Sequence, residues 1–479
     1  MKVYFYFSVY EELFARVAGT LRDEFGFATF GGFVWGHDQR AFLEATNVHW
    51  ARIDVFTDWL ARLRNWKVDY AYLEKAEVKY GVPNLNLIVY SDRFLAKGSY
   101  ERVLSILEIC LREFERMVEE YKPDVVVFES VDSIATNVLH IVASKAGIPC
   151  FLTEPSRIPG RTAFFQDRYQ EWRGLAKTCR EMQARGLTTD ERAHAEEFLL
   201  EFQTRQPQAS QLLPWMSPVP KWMDFSLFGD AFNRFLQDPR NPNLVGPLQL
   251  LARRVTRQIR HYGSEWLRYF EQPVPDEKFV LFPLHLQPEV STLVMAPFYV
   301  DQIALIEDIA KSLPIGYRLY VKEHFVMLGR RPLEDYRRIR DLYNVRLISP
   351  HSDSFKLVKQ ARAVTTITST MGWEAILFEK PVISFGEPFY SAYPQVVRAS
   401  RIAKKELPAL FQKVLTDYQP DHELLLQFIA AVLQVTVGKV IMIDHARNYP
   451  QVLSRDNTRN IAELIAGLLT EENNRLCNP

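Results

Sequence analysis

The sequence predicts an α/β protein built from two doubly wound domains with a helical, irregular insert. Three observations carry that reading. From Lys278 onward, short apolar β-branched runs alternate with stretches of helical spacing. A second alternation surrounds Pro123-Asp-Val-Val-Val-Phe-Glu129, a buried parallel-type strand ending in an acid. A chain of 479 residues is also too long for one ordinary core. The expected division is a first domain over 1–270, a second over 271–450, and a C-terminal helix and tail over 451–479. The insert is expected at about 207–247, where Pro207, Pro214, Pro218, Pro220, Pro239, Pro242 and Pro247 break any long element.

Composition narrows the function classes. Lys plus Arg equals Asp plus Glu, so no global field favours nucleic acid. Cys110, Cys150, Cys179 and Cys477 show no paired spacing, which argues against a zinc site or a disulfide scaffold and fits a reducing compartment. Met1–Ser8 reads as a strand, with Glu11 and Glu12 following at once, so no signal peptide is expected. The most apolar window, Leu424–Ile443, is interrupted by Gln427, Gln434, Gly438 and Lys439. It reads as a buried helix and not as a membrane span. A cytoplasmic protein is expected, with the inner face of the inner membrane as an option.

In the first domain, Lys2–Phe7 is the first strand, Glu11–Phe25 a helix and Phe27–Val34 a second strand. Residues 38–83 read as mostly helical and Asn84–Tyr90 as a strand. Tyr100–Tyr121 has Val103, Ile106, Leu107, Cys110, Leu111, Phe114 and Val118 on one side of a long helix. After the strand to Glu129 come a helix over Ser133–Ala146, a strand over Cys150–Thr153 and a loop to Arg161. Ligands of parallel sheets bind at the C-terminal ends of strands, where Glu129, Asp132, Glu154, Arg157 and Arg161 all fall. Leu248–Phe270 is a helix carrying Arg253, Arg257 and Arg260. A solvated face is the simplest account of these arginines; contact with an anionic membrane or acceptor is the other.

The second domain is expected to place strands at Phe279–Pro283, Tyr317–Lys322, Val345–Ser349, Ala363–Ile367 and Pro381–Phe385. Three of their ends are polar: Pro283-Leu-His285-Leu-Gln287-Pro-Glu289, Val321-Lys322-Glu323-His324, and Thr368-Ser369-Thr370 with Glu374 one turn on. In an open α/β sheet these ends converge on one crevice. Lys322 and His324 can donate to a phosphate, and Ser369 and Thr370 can do so from a helix N-terminus whose free N–H groups favour an anion. Glu374 could accept two ribose hydroxyls, and Gly372 would let a ligand or a neighbouring backbone come close. His351 is a weaker candidate at a fourth strand end. A Ser/Thr helix cap alone would also explain residues 368–370.

No Gly-x-Gly-x-x-Gly, Walker A, His-Glu-x-x-His or Gly-x-Ser-x-Gly occurs, which disfavours dinucleotide enzymes, P-loop NTPases, zincins and α/β-hydrolases. No Asp-x-Asp stands at a strand end, so no metal is expected to hold a nucleotide diphosphate.

Residues 279–391 resemble the capsule polysaccharide biosynthesis family, which includes bacterial Kdo transferases. The resemblance rests on Phe282-Pro-Leu-His285-Leu-Gln-Pro-Glu289, Val321-Lys-Glu-His324, Ile367-Thr-Ser-Thr-Met-Gly-Trp-Glu374-Ala and Lys380-Pro-Val-Ile-Ser-Phe-Gly386. It implies a GT-B-like fold, in which two Rossmann-like domains face each other across a cleft and the nucleotide sits in the second. It further implies a glycosyltransferase acting on a nucleotide-sugar, with no separate cofactor. In this family and the related sialyltransferases a His-Pro pair and a Ser/Thr pair hold the phosphate of a CMP-sugar. His324 would supply the first and Ser369-Thr370 the second, although Phe325 stands where the family usually has Pro.

By this reading the nucleotide-sugar is held by His285, Gln287, Glu289, Lys322, His324, Thr368, Ser369, Thr370 and Glu374. Glu129, then Asp132, would be the catalytic carboxylate from the first domain. Arg157 and Arg161 would face an anionic acceptor or the donor carboxylate. The partners are a nucleotide-sugar and an oligosaccharide or lipid-linked glycan, with no nucleic acid and peripheral membrane contact left open. A UDP-sugar 2-epimerase-like enzyme and a non-catalytic polysaccharide assembly partner are the alternatives.

Overall fold

The computed structural model describes residues 1–82, 84–93, 95, 98–204, 236, 238–239, 241, 246–442 and 450–477. The chain divides into two compact units. The first comprises residues 1–173, 226–247 and 436–479, and the second 174–225 and 248–435. This departs from a single boundary near 270. Helices Leu175–Arg185, Thr189–Thr204 and Pro247–Trp266 go with the second unit, and the C-terminal segment returns to the first. Most of the insert expected at 207–247 lies outside the described residues.

In the first unit, β1 (Lys2–Tyr6), β2 (Thr29–Val34), β3 (Trp50–Val55), β4 (Val125–Val127), β5 (Cys150–Pro155), β6 (Arg161–Phe165) and β13 (Val437–Gly438) form one sheet. Its order is β13-β6-β5-β4-β1-β2-β3. The members from β3 to β5 pair in parallel, while β6 and β13 run antiparallel at one side. Val3, Phe5, Val125 and Val127 are fully buried, and Ile461, Ala462 and Ile465 of the C-terminal helix Arg455–Cys477 join the same core.

Three expectations for this unit change. Trp50–Val55, expected within helical sequence, is the edge strand β3. Its Arg52 and Asp54 pair with each other, and these half-buried polar residues disguise the strand pattern. Asn84–Tyr90, expected as a strand, contains the helix Asn86–Tyr90. Leu85, Ile88 and Val89 are its buried residues, which is helical spacing. The loop expected to run to Arg161 instead turns a β5–β6 hairpin.

The second unit holds β7 (Phe279–Pro283), β8 (Arg318–Lys322), β9 (Val345–Ile348), β10 (Ala363–Thr366), β11 (Val382–Ser384) and β12 (Val397–Arg398). All pairings are parallel, in the order β12-β11-β10-β7-β8-β9. The chain starts in the middle, winds outward over β8 and β9, then crosses back to β10 and winds the other way. The β7/β10 border is therefore the topological switch point, where open parallel sheets leave a crevice at their carboxyl ends. Val280, Leu281, Val364 and Ile383 are fully buried, as strands covered on both faces require. Two doubly wound α/β units in one chain, the first sheet parallel from β3 to β5 and the second parallel throughout, are the fold class that the sequence predicts.

Candidate functional site

The three polar strand ends of the second unit meet at its switch point. His285 follows β7 and Thr368 follows β10. The Thr368 N–H donates to His285 Nε2 at 3.0 Å, so one bond closes the border between the two halves of the sheet. Gln302, buried at the start of the helix Gln302–Ser312, holds the His285 backbone at two points. Its Oε1 accepts from the His285 N–H at 2.7 Å, and its Nε2 donates to the His285 carbonyl at 3.3 Å.

Burial holds the His285 pKa down to about 3, with His324 and Arg331 adding in the same direction. The ring is therefore neutral. Since Nε2 accepts a proton bond, Nδ1 carries the hydrogen. His285 serves as an internal latch more than as an open ligand contact.

His324 follows β8. Its backbone N–H donates to Glu323 Oε1 at 2.6 Å, and its Nδ1 accepts from the Val326 N–H at 3.3 Å. Accepting at Nδ1 leaves Nε2–H as the donor of the neutral ring. Burial lowers its pKa, opposed by the charges of Glu289 and Glu323. Beneath it, Glu323 and Arg331 form a buried ion pair at 2.6 Å, with side chains 0% and 3% exposed. Arg331 also reaches the His285 carbonyl at 3.4 Å. One ion pair thus braces both histidine segments.

Lys322 is buried and its pKa is lowered by burial, with the charges of Glu323, Asp353 and Glu374 pulling it back. It donates to the Pro350 carbonyl at 3.1 Å, one of three donors on an ammonium.

Ser369 caps the helix Thr370–Leu377, its Oγ accepting from the Met371 N–H at 3.3 Å. That bond uses a lone pair and leaves the hydroxyl hydrogen to donate. The cap role and a phosphate role are therefore compatible in one atom. Thr370 and Glu374 are half-buried.

Gly372 makes room for a side chain, which revises the expectation of a ligand or backbone there. A Cβ at this position would lie 2.6 Å from Tyr390 Cζ, and Tyr390 Oη donates to the Ser369 carbonyl at 2.6 Å. Tyr390 thereby fixes the cap.

Other expected contacts are committed to the framework. Gln287 donates to the Val300 carbonyl at 2.6 Å, Glu289 accepts from the Ser291 hydroxyl at 2.7 Å, and the Thr368 hydroxyl donates to the Ser291 carbonyl at 2.9 Å. Phe325 packs edge-on against His351, ring centroids 5.4 Å apart.

In the first unit, the corresponding border is β1/β4, and Glu129 spans it. Its carboxylate accepts the N–H groups of Ser8, Val9 and Tyr10 at 2.7–2.8 Å. Burial raises its pKa to about 8, with Glu11 adding to the rise and the three N–H bonds opposing it. Asp132 is buried and ion-paired with Arg93. Ser133, and not Asp132, caps the helix Ile134–Lys145.

Arg161, expected to face an anion, is instead tied to Thr436. Its Nε donates to Thr436 Oγ1 at 2.8 Å and its Nη2 to the carbonyl at 2.5 Å, which stitches β13 to β6. Arg157 is exposed in the left-handed region, φ 65°.

Sequence reasoning missed Gln302, Arg331 and Tyr390. Gln302 had one signal, a polar residue entering a largely apolar helix just after the capping Asp301. For Arg331 and Tyr390 there was none, because their roles depend on the turns that bring them back to the strand ends.

Residues 250–405 match the family described as capsule polysaccharide biosynthesis protein. No curated protein matches the chain. Among solved structures, the chain is similar to KpsC of Thermosulfurimonas dismutans. With its beta Kdo 2,7 transferase it shares 12% identity over 96% of this chain and 99% of that one, with a TM-score of 0.40. With its beta Kdo 2,4 transferase it shares 16% identity over 64% and 79%, with a TM-score of 0.35. The UDP-GlcNAc 2-epimerase of Neisseria meningitidis shares 14% identity over 91% and 98%, with a TM-score of 0.24. Residues 250–405, the segment that matches the capsule polysaccharide biosynthesis family, hold every member of the second unit's strand-end cluster.

Proposed function

We propose that the chain is a metal-independent glycosyltransferase that moves Kdo or a related acid sugar from a CMP-sugar onto a bacterial surface or capsular polysaccharide acceptor. The supporting observation is the His285–Thr368 latch at the switch point, with the donors of His324, Lys322, Ser369 and Thr370 at the adjoining strand ends. When the bond from sugar to phosphate breaks, negative charge grows on the leaving phosphate. Fixed donors at a helix N-terminus meet that charge without reorganising. His324 donates Nε2–H, Lys322 its remaining ammonium hydrogens and Ser369 its hydroxyl hydrogen. Glu374 is the proposed acceptor for ribose hydroxyls.

An acceptor hydroxyl attacking the sugar must lose its proton. Glu129 is the proposed base, as the acid that follows the buried strand β4; with its pKa lifted to about 8 by burial, it is ready to take a proton only above that pH. Asp132 is second, because its charge is already shared with Arg93. Arg157, exposed, is the remaining candidate for the donor carboxylate or an anionic acceptor.

The test is thermal stabilisation of the full chain by CMP, UDP and GDP, followed by transfer from the matching sugar nucleotide in the presence of a chelator. Stabilisation by CMP and chelator-resistant transfer are expected, because a ligand of the native state raises the melting point. Stabilisation by UDP, with isomerisation of UDP-GlcNAc in the absence of acceptor, would replace the proposal with the epimerase reading. Binding of no nucleotide would leave an assembly partner.

A further inference from the structure

Two arginines among the described residues are buried, Arg168 and Arg331, at 7% and 3% exposure. Arg331 lies against the Glu323 carboxylate. Arg168 has no such partner. Its Nη1 donates to Asn137 Oδ1 at 3.5 Å and its Nη2 to Tyr169 Oη at 2.7 Å, and its guanidinium lies 4.8 Å from the centre of the Tyr169 ring. All of these contacts are with neutral groups, and Arg168 forms no ion pair among the described residues. A buried charge is ordinarily paired with an opposite one, because neutral contacts do not recover what its withdrawal from water costs.

Arg168 lines a cavity of about 330 Å³ in the first unit, between the helix Ile134–Lys145, Tyr80 at the end of the helix Tyr70–Tyr80, and the turn 167–169. Its walls carry two cations, Lys145 and Arg168, and one acid, Asp167. Both Asp167 oxygens are committed to their own turn, accepting from the Tyr169 and Glu171 N–H groups at 2.8 and 3.1 Å. His140 donates Nε2–H to the Gln166 carbonyl at 2.7 Å. Burial holds its pKa down to about 4, with the Arg168 charge pushing the same way, so the ring is neutral at pH 7 and the cations stay in excess. Lys145 taken alone is what a helix C-terminus attracts. Arg168 has no such account.

We infer that this cavity binds an oxyanion, a carboxylate or a phosphate carried by a small polar ligand, with Arg168 as the buried charge partner. A guanidinium presents parallel N–H donors that match either group. The neutral acceptors it now holds make weaker bonds than an anionic oxygen would. Tyr169, 47% exposed, sets a ring beside the charge for the apolar side of the ligand. The site supplies the anion contact that Arg161, tied to Thr436, does not. It stands apart from the proposed transfer reaction, since none of its residues is given a role there.

The test is calorimetric titration of the full chain with inorganic phosphate, glucuronate and uncharged glucose. Phosphate or glucuronate should bind and glucose should not; the tighter of the two anions names the ligand group. Arg168→Gln should weaken that binding at least about tenfold, as the loss of a hydrogen bond to a charged group does. Lys145→Gln should weaken it about threefold, and because Lys145 is exposed this variant reports on the site even where Arg168→Gln does not fold. Without ligand, Arg168→Gln should melt no lower than the wild type, because it removes a buried charge that has no counter-ion. Binding should persist in His324→Ala. Binding lost in His324→Ala and kept in Arg168→Gln would assign the anion to the strand ends of the second unit and overturn the inference. So would binding of no anion, equal binding of glucose, or a lowered melting temperature in Arg168→Gln with anion binding intact.

Discussion

The Thr368 N–H and the His285 ring nitrogen meet at 3.0 Å although 83 residues separate them in the chain. The bond joins β7 to β10 where the winding of the second sheet reverses. It is also the only hydrogen bond among the described residues between the Leu284–Glu289 segment and the backbone of the Thr368–Thr370 turn.

Removing the ring should therefore cost stability before it costs chemistry. His285→Ala leaves the Thr368 N–H buried without an acceptor and opens a cavity. A loss of about 1–3 kcal/mol is expected from the orphaned donor alone. Urea unfolding of the full chain measures it; an unchanged midpoint would reject the latch.

The same ring makes stability depend on pH. Its folded pKa of about 3 lies below the ordinary histidine value. Above that ordinary value neither state is protonated and the contribution is complete. As pH falls, the unfolded chain takes a proton that the folded chain refuses, so stability declines towards about pH 3. His140, lowered to about 4 by burial, acts in the same direction. Unfolding midpoints between pH 4 and 8 should fall less steeply on the acid side in His285→Gln, by up to ~1.4 kcal/mol per pH unit.

His324 should matter for the ligand as well as for the turn that its Nδ1 caps. His324→Ala is expected to weaken CMP binding by about 1.5–3 kcal/mol, the range for a hydrogen bond to a charged group. Because the ring donates in its neutral form, wild-type affinity should stay level between pH 7 and 8. Calorimetric titration that shows identical affinity in the variant would remove His324 from the site.

The Glu323–Arg331 pair is the brace under both histidines. Glu323→Gln strands the arginine charge in a buried position, and a loss of about 3–5 kcal/mol is expected. Arg331→Lys keeps a positive charge beside Glu323 and should lose less stability, though still some, since an ammonium cannot reproduce the two-pronged contact. Denaturant unfolding of the two variants ranks them.

Glu129→Gln is a mixed test. Both carboxylate oxygens accept N–H groups, and the amide nitrogen of Gln would oppose one of those donors. A stability loss of about 1–3 kcal/mol should accompany any loss of transfer. Transfer at the wild-type rate in a folded Glu129→Gln protein would exclude it as the base.

Much of the second unit was legible in the sequence. Its first five strands fall within a residue or so of their expected bounds, because each is a short apolar run closed by a polar cluster. The convergence of His285, His324 and Ser369 follows from the same alternation. Elsewhere local pattern failed. The edge strand Trp50–Val55 is half-exposed and polar, and Asn86–Tyr90 is too short for its helical spacing to outweigh its β-branched composition. The framework roles of Gln287, Thr368 and Arg161 were hidden because a side chain's partner depends on distant chain. Arg161 illustrates this, since Thr436 meets it only after the whole second unit has intervened.

That late return has a consequence for biosynthesis. β13 and the helix Arg455–Cys477 complete the sheet and core of the first unit, yet they are translated after everything in the second. At about 5–20 residues per second, the span from Arg173 to Thr436 occupies a ribosome for on the order of tens of seconds. For that interval the nascent first unit carries an open β6 edge and an unpaired apolar face on the helix Glu11–Phe25. The unit that begins first is finished last, so holdase chaperones have their longest work at the N-terminus, and a stop codon near residue 436 would spare the second unit's core while leaving the first incomplete.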